Sequence, residues 1–257
     1  MNTEAQNIII KVEDLVKKFG DFIANDHLTF KVYESEIFGF LGANGAGKTT
    51  AIRILCGLSA PTSGNVEVAG FNVYHQIEKI KKNIGYMSQK FSLYENLTIK
   101  ENIRFFAGIY GLKGQEIKKR MNELLENLDI KHLEDKLISS LPLGWKQKLA
   151  FSIAIFHKPK IVFLDEPTGG VDPITRRQFW DMIYDTARSG ITVFVTTHYM
   201  DEAEYCDRVS IMVDGRIEAL DTPSVLKNKY QAKNMDEVFL KLARNPHMTS
   251  PQMGRNG

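Results

Sequence analysis

The sequence has few cysteines, no long apolar run and almost no net charge. Its two cysteines, Cys56 and Cys206, have no cysteine or histidine at metal-ligand spacing, so we expect two reduced, mostly buried thiols. No segment approaches the roughly 18 apolar residues of a membrane helix, and the N-terminus has no apolar signal core, so the chain is expected to be soluble by itself. The net charge of +2 gives no electrostatic footprint for nucleic acid, and no nucleic-acid partner is expected.

Apolar runs alternate with turn signals through most of the sequence. Short runs rich in branched and aromatic residues predict strands, and longer runs with apolar residues at helical spacing predict helices. The predicted strands are Ile8–Val12, Leu28–Val32, Ile37–Leu41, Val66–Val68, Ile84–Met87, Ile161–Leu164, Val193–Thr196, Val209–Val213 and Arg216–Leu220. The predicted helices are Gly47–Leu55, Lys146–Phe156 and Ile174–Arg188. This alternation predicts an α/β fold with loops at the carboxyl ends of the strands.

Only helical periodicity is found from about residue 98 to residue 133. Ile99, Ile103 and Phe106 recur at the spacing of one helix face, and Glu116–Leu128 continues the pattern. We expect a helical subdomain over about residues 91–145, inserted in an α/β domain of residues 1–244. Residues 245–257 contain two prolines and two glycines and are expected to be disordered.

The residues that follow the predicted strand Ile37–Leu41 fit the pattern G-x-x-x-x-G-K-[ST]. Glycines let backbone amides turn inward around phosphates, and the N-terminus of the next helix adds partial positive charge. Lys48 is expected to reach the β- and γ-phosphates, and the Thr49 hydroxyl to ligate Mg²⁺. The predicted contacts of this loop with Mg-ATP are Gly42, Ala43, Asn44, Gly45, Ala46, Gly47, Lys48, Thr49 and Thr50.

Two adjacent acids follow the predicted strand Ile161–Leu164. Asp165 is expected to hold Mg²⁺, and Glu166 is expected to polarise the attacking water as general base. An Asp-Glu pair at a strand end is a weak signal when it stands alone. Its combination with the phosphate loop predicts hydrolysis of ATP.

At these residues the chain resembles the ATPase subunit of ABC transporters, and the resemblance extends from about Ile8 to Ala243. It implies a P-loop NTPase core: a mixed sheet flanked by helices, an antiparallel β subdomain and an inserted α-helical subdomain. Gln89 matches the family's glutamine that contacts Mg²⁺ or water and links the core to the helical subdomain, and His198 matches its switch histidine, which implies catalytic roles for both. Phe19 falls where the family stacks an aromatic ring on adenine.

The segment Leu141–Gln147 occupies the place of the family signature, which normally has the order Leu-Ser-Gly-Gly-Gln. Pro142 replaces the serine and Leu143 replaces the first glycine, whereas Gly144 is retained. Proline offers neither a hydroxyl nor an N–H group to a γ-phosphate, which leaves Leu143 and Gly144 as the expected contacts. We hypothesise that the chain's own Mg²⁺ and water site is intact, while its signature serves a partner's site less well.

The resemblance also implies a mechanism and partners. Two such domains, as a homodimer or a heterodimer, face each other and trap two ATP molecules, with Gly170–Asp172 along the interface. Nucleotide binding closes the pair and hydrolysis reopens it. The expected further partners are integral-membrane permease subunits, which would dock on Gln89 through Ile103 and hold the chain at the cytoplasmic face of the membrane.

The kind of ABC protein is inferred from three stretches. Phe91–Tyr110, Gly170–Pro173 and the short end Met235–Leu242 resemble antibiotic and multidrug exporter ATPases with separate permease subunits. The alternative is a non-transport ABC ATPase that acts on ribosomes or nucleic acid, but the chain has one ATPase unit and no sustained heptads. A GTPase is not expected, because the base-binding motif Asn-Lys-x-Asp of GTPases is absent. Asn228-Lys229 is followed by Tyr230-Gln231, which puts glutamine where the motif has aspartate.

Overall fold

The computed structural model describes residues 7–89 and 93–244. The tail that is expected to be disordered, residues 245–257, lies outside the described residues, as do residues 90–92 at the expected start of the helical subdomain. Both cysteines are free and buried, as the sequence predicts. Within the two described ranges, no helix combines the length and apolar character needed to cross a bilayer.

Ten strands and eight α-helices are found in the described part of the chain. The strands are β1 (Ile8–Phe19), β2 (Phe22–Tyr33), β3 (Ile37–Gly42), β4 (Ser63–Val68), β5 (Phe71–Asn72), β6 (Ile84–Met87), β7 (Ile161–Asp165), β8 (Thr192–Thr197), β9 (Arg208–Val213) and β10 (Arg216–Asp221). The helices are α1 (Lys48–Leu55), α2 (Ile77–Asn83), α3 (Ile99–Ile109), α4 (Gly114–Asn127), α5 (Leu143–Ala154), α6 (Pro173–Arg188), α7 (Pro223–Lys229) and α8 (Met235–Arg244). Short 3-10 helices span Lys131–Leu133, Ile138–Ser140 and Met200–Tyr205.

The larger sheet has six strands in the order β10-β9-β3-β8-β7-β6. Its strands run parallel except β10, which pairs antiparallel with β9. Every residue of β3, β7 and β8 is buried, as expected for parallel strands covered on both faces. The sheet is therefore mixed and flanked by helices, as the sequence and the resemblance imply.

A second sheet is antiparallel, with the order β2-β1-β4-β5. Its first two strands are much longer than the predicted segments Ile8–Val12 and Leu28–Val32. The reason is that one face of this sheet is exposed in part, so polar residues interrupt the apolar pattern without ending the strand. Register irregularities between Val12 and Leu15 further break the simple alternation of apolar and polar residues.

Strand β3 separates two apolar cores. Ile37 and Leu41 belong to the core that the helices α5 and α6 cover. Phe38 and Phe40 point to the other face, where they pack against an aromatic cluster that includes Phe194 at ring-centroid distances of 5.5 and 5.3 Å. This division follows from the two-residue period of a strand.

The predicted helices are present; the ends of α1 and α6 agree with the prediction to within one residue, and the largest shift is at the start of α5. Helices α3 and α4 occupy the stretch that shows only helical periodicity, and a capping box between Thr98 and Glu101 begins α3. Helix α5 begins at Leu143, three residues before the predicted start at Lys146, because Pro142 serves as its N-cap. Residues 143–147 of the signature segment therefore form the start of α5.

Candidate nucleotide site

Four neighbouring strand ends bring the predicted site residues together. Strands β3, β8, β7 and β6 are adjacent in the sheet and parallel, so their carboxyl ends lie along one edge. The phosphate loop leaves β3, Gln89 follows β6, Glu166 follows β7 and His198 follows β8. Ligands bind at this edge in open α/β sheets, which makes it the candidate site.

The phosphate loop is held in a shape that depends on its glycines. Gly45 and Gly47 have φ angles of 84° and 99°, in the left-handed region that side chains rarely adopt. A Cβ on Gly47 would lie 2.2 Å from the carbonyl oxygen of Ala24, so β2 packs directly on the loop. The side-chain amide of Asn25 donates to the Gly47 carbonyl at 3.1 Å and fixes this contact.

Lys48 is buried, with 4% of its surface exposed, and its ammonium group lies inside the loop. It donates to the carbonyl oxygens of Gly42 and Ala43 at 2.7 and 3.0 Å. It also lies 3.4 Å from the Glu166 Oε1 atom. Burial lowers the pKa of this lysine, while the neighbouring acids favour its charged form. The ammonium group is thus positioned to bind an anion that enters the loop.

Asp165 offers oxygen atoms beside the start of α1. Its Oδ1 atom accepts hydrogen bonds from the hydroxyls of Thr49 at 3.2 Å and Thr196 at 2.7 Å. Burial raises the pKa of Asp165, although these two hydrogen bonds favour the carboxylate form. A carboxylate beside a hydroxyl provides the hard oxygen ligands that Mg²⁺ prefers.

The donor set near Asp165 fits Mg²⁺ bound together with phosphates. Over residues 7–89 and 93–244, no group of three or more His, Cys, Asp or Glu side chains is arranged to hold a metal ion by itself. Phosphate oxygens complete the coordination of Mg²⁺ in nucleotide sites that have one or two protein ligands. Thr49 and Asp165 therefore suit this ion in the form of Mg-ATP, and Gln89 lines the same pocket as Thr49.

Glu166 is the point where the three predicted catalytic residues meet. Its Oε2 atom accepts a hydrogen bond from Gln89 Nε2 at 2.9 Å and lies 3.0 Å from His198 Nδ1. The residue has a φ of 50°, and its backbone N–H donates to the Thr196 hydroxyl at 3.0 Å. Positive φ at a residue that is not glycine is strained, which is common where a side chain is aimed at a reaction.

A pocket of about 270 Å³ lies over the phosphate loop. It is lined by Phe22, Ala24, Asn44, Gly45, Gly47, Lys48, Thr49, Thr50, Gln89 and Glu166. Phe22, not the predicted Phe19, is the aromatic residue in this lining. The two are cross-strand partners at the end of the β1–β2 hairpin, so their rings lie on the same face. The Lys17 ammonium lies 4.9 Å from the centroid of the Phe19 ring.

The signature residues lie apart from this pocket. Leu143 lines a neighbouring cavity of about 120 Å³ together with Gln89 and Glu166. Gly144 lines neither, and a Cβ on it would lie 2.7 Å from a methyl carbon of Thr175, so it packs against α6. Among the residues that the structure describes, no side chain forms a capping hydrogen bond with the first amides of α5. These amides are thus available to an anion, but the structure does not bring Gly144 to the phosphate loop of its own chain.

Three residues of the site were missed by sequence reasoning. Phe22 lines the pocket, Asn25 fixes the loop, and Thr196 binds both Asp165 and the Glu166 backbone. The only available signal for Thr196 was its place at the end of a predicted strand next to His198. Nothing in the local sequence marks Asn25, because its partner is a backbone carbonyl 22 residues away.

The sequence matches a known protein family. The model of the family described as ABC transporter matches residues 25–169, which is more than half of the chain. This range contains the phosphate loop, Gln89, the signature segment and the Asp165-Glu166 pair.

Curated relatives are similar over most of this chain. The probable multidrug ABC transporter ATP-binding protein YbhF of Escherichia coli is 46% identical over 91% of this chain and 41% of its own length. The bacitracin transport ATP-binding protein BcrA of Bacillus licheniformis is 39% identical over 81% of this chain and 68% of its own length. The chain thus spans about two fifths of YbhF and about two thirds of BcrA.

Solved structures agree with the sequence relatives. A structure of an ATP-binding subunit of an ABC transporter has a TM-score of 0.82 and 27% identity, covering 91% of this chain and 99% of that one. The ATP-binding cassette MJ0796, a dimer bound to ADP and Pi, has a TM-score of 0.75 and 26% identity, covering 83% and 98%. The fold, the site and these relatives together show that the chain belongs to the ABC transporter family, as an ATP-binding domain with the P-loop ATPase fold.

Proposed function

We propose that the chain binds and hydrolyses Mg-ATP and, as one of two ATPase domains that close around the nucleotides, drives a membrane exporter. The observation that carries this proposal is the position of the Glu166 carboxylate. It lies between Gln89 and His198, beside the buried Lys48 ammonium and in the lining of the phosphate-loop pocket. A carboxylate so placed can take a proton from a water that attacks the γ-phosphate.

Each residue around Glu166 has a distinct part in this proposal. The loop amides and Lys48 bind the phosphates and stabilise the charge on the transferred group. Gln89 and His198 hold the Glu166 carboxylate, and His198 is a further donor towards the reacting oxygen. Thr49, Asp165 and Gln89 would hold Mg²⁺, which supplies neutralising charge to the phosphates when it is bound.

The pairing of two domains is supported by the position of the signature. The first amides of α5 are not capped by any side chain in the described part of the chain, and they lie outside the phosphate-loop pocket of their own chain. They would therefore serve a phosphate held by a second domain, and MJ0796 is a dimeric relative.

A patch of aromatic residues at and beside the predicted docking surface Gln89–Ile103 supports the docking of a permease. Tyr94 and Phe105 are exposed, and their rings lie edge to face at 4.9 Å. Phe106 packs edge to face on Phe105 at 5.3 Å. Exposed aromatic clusters of this kind mark protein interfaces. Part of the predicted surface Gln89–Ile103, residues 90–92, lies outside the described residues.

The export direction is supported by the relatives. YbhF is named for multidrug transport and BcrA for bacitracin transport. A domain that docks on a permease would lie at the cytoplasmic face of the membrane, where ATP is present. The alternative of a non-transport ABC ATPase is not favoured by these relatives.

The test compares ATP turnover and ATP binding in Glu166→Gln and in a control, Glu126→Gln. Glu166→Gln should lower kcat by at least about a hundredfold and leave ATP affinity nearly unchanged, because it removes the base and keeps the binding loop. Glu126 lies on an exposed face of α4, so its variant should match the wild type. Wild-type turnover in Glu166→Gln would contradict the general-base assignment. No hydrolysis by the wild type, alone or with a permease, would contradict the proposal as a whole.

A further inference from the structure

A polar cluster with two buried members and one half-buried member is close in the chain to Glu166 and His198. It consists of Thr168, Arg176 and Glu202. The Thr168 hydroxyl donates to Glu202 Oε1 at 2.6 Å, and both residues are buried, Glu202 completely at 0% exposure. The Arg176 Nε atom lies 3.7 Å from the same carboxylate oxygen. None of the three lines the phosphate-loop pocket.

The cluster joins three segments that begin at the site. Thr168 follows Glu166 by two residues, and Glu202 lies in the 3-10 helix that follows His198. Arg176 is in the first turns of α6, just after the segment Gly170–Asp172. The hydrogen bond between Thr168 and Glu202 therefore connects the segment that carries the general base to the segment that carries the histidine.

A second link leads from the cluster directly to the histidine ring. The Arg176 guanidinium carbon lies 4.2 Å from the centroid of the Tyr199 ring. The Tyr199 ring in turn packs on the His198 ring with centroids 4.1 Å apart. His198 Nδ1 is 3.0 Å from Glu166 Oε2. The guanidinium, the two rings and the carboxylate are thus in contact in series.

The energetics of the cluster indicate a role other than bulk stability. The Glu202 Oε2 atom and the Arg176 Nε atom are buried without a hydrogen-bond partner in the described structure. A buried ion pair that is incompletely hydrogen-bonded contributes little stability compared with apolar residues of the same size. Such groups can instead fix one arrangement of the segments that they join.

We propose that Thr168, Arg176 and Glu202 are positioning residues that hold His198 against Glu166. This inference rests on the proposed hydrolysis at Glu166. The Thr168–Glu202 hydrogen bond sets the distance between the two segments, and the Arg176–Tyr199 contact sets the orientation of the imidazole. Loss of either lowers the rate of hydrolysis while the phosphate loop still binds nucleotide.

The test uses Thr168→Val and Thr168→Ser, with steady-state ATPase assays and ATP titrations on the purified protein. Thr168→Val keeps the volume and removes the donor, and we expect kcat to fall at least about tenfold, since a misplacement of about 1 Å can cost roughly a hundredfold. The KM for ATP should change by less than about twofold, because the loop is untouched. Thr168→Ser restores the hydroxyl and should keep near-wild-type kcat.

A second pair of variants tests the proposal independently of the substitutions at Thr168. Arg176→Met deletes the guanidinium, and Arg177→Met makes the same change at the next, exposed position of α6. We expect only Arg176→Met to lower kcat, and we expect no further loss when Arg176→Met is combined with His198→Ala, since the two would act on one step. Unfolding midpoints measured for all variants identify losses due to instability.

Each outcome bears on the proposal. Equal kcat in Thr168→Val, Thr168→Ser and wild type overturns it, as does a loss in Arg176→Met that adds fully to that of His198→Ala. A rise in KM at constant kcat also overturns it, because that result indicates a role in nucleotide binding. A wild-type protein without ATPase activity contradicts the proposed function itself and is thus distinguishable from these results.

Discussion

Lowering the pH from 7 to 5 should destabilise the protein through His157. This residue follows α5, and its ring stacks on Tyr110 with centroids 3.6 Å apart. His157 Nε2 lies 3.0 Å from the Ile84 carbonyl oxygen, which can only accept, so Nε2 carries the proton. The Nδ1 atom is buried and has no hydrogen-bond partner within residues 7–89 and 93–244, so a second proton on the ring would find no acceptor there.

The structure gives both the sign and the size of this effect. Burial lowers the pKa of His157 from 6.5 to about 4, and the nearby Arg120 acts in the same direction. The unfolded chain therefore binds a proton as the pH falls below 6.5 while the folded chain does not, and stability decreases with falling pH. The full shift corresponds to about 3 kcal/mol, of which about 2 kcal/mol is lost between pH 7 and pH 5.

The assay is denaturant unfolding of the wild type and of His157→Gln at pH 7, 6 and 5. Glutamine can still donate to the Ile84 carbonyl but does not titrate, so the difference between the two pH profiles isolates His157. We expect the wild type to lose about 2 kcal/mol more than the variant over this range. Parallel pH profiles would show that His157 is not held neutral and would refute the reasoning.

The remaining predictions concern nucleotide binding. Lys48→Ala should weaken ATP binding by at least about tenfold, because it removes the cation inside the loop; calorimetric titration that shows unchanged affinity would contradict the phosphate-loop assignment. Gly47→Ala should abolish binding and lower the unfolding midpoint, since its Cβ would lie 2.2 Å from the Ala24 carbonyl at a φ of 99°; a variant that binds normally would show that β2 can move away. Phe22→Ala should weaken ATP binding more than Phe19→Ala by about 1 kcal/mol, because Phe22 lines the pocket, and the opposite order would place adenine on Phe19.

The local parts of the site were predictable from the sequence. The phosphate loop is a run of consecutive residues between a strand and a helix, and its glycines mark backbone conformations that only glycine adopts easily. Asp165 and Glu166 are adjacent at a strand end, so no long-range information was needed. The strands of the parallel sheet were also predictable, because burial on both faces makes them continuous apolar runs.

Contacts between distant segments were not predictable from the residues themselves. Gln89, Glu166 and His198 meet because β6, β7 and β8 are neighbours in the sheet. This order of strands in the sheet cannot be read from the order of strands along the chain. The family resemblance implied their roles, but not the hydrogen bonds that join them. Phe22 lies in the pocket because it is at the end of the β1–β2 hairpin. The strands of this hairpin are longer than the apolar segments from which they were predicted.

The sequence by itself determined the chemistry of this protein: a loop of amides and one ammonium group, followed far along the chain by two acids. These features depend on residue type and on the order of neighbouring residues, and backbone sterics and burial then fix their local structure. Only the tertiary structure decided which side chains hold that chemistry in place, including Thr196 on Asp165 and Glu202 on Thr168. Such pairs form because packing of the sheet and helices fixes their distance, and no local pattern encodes a contact that exists only after the chain has folded.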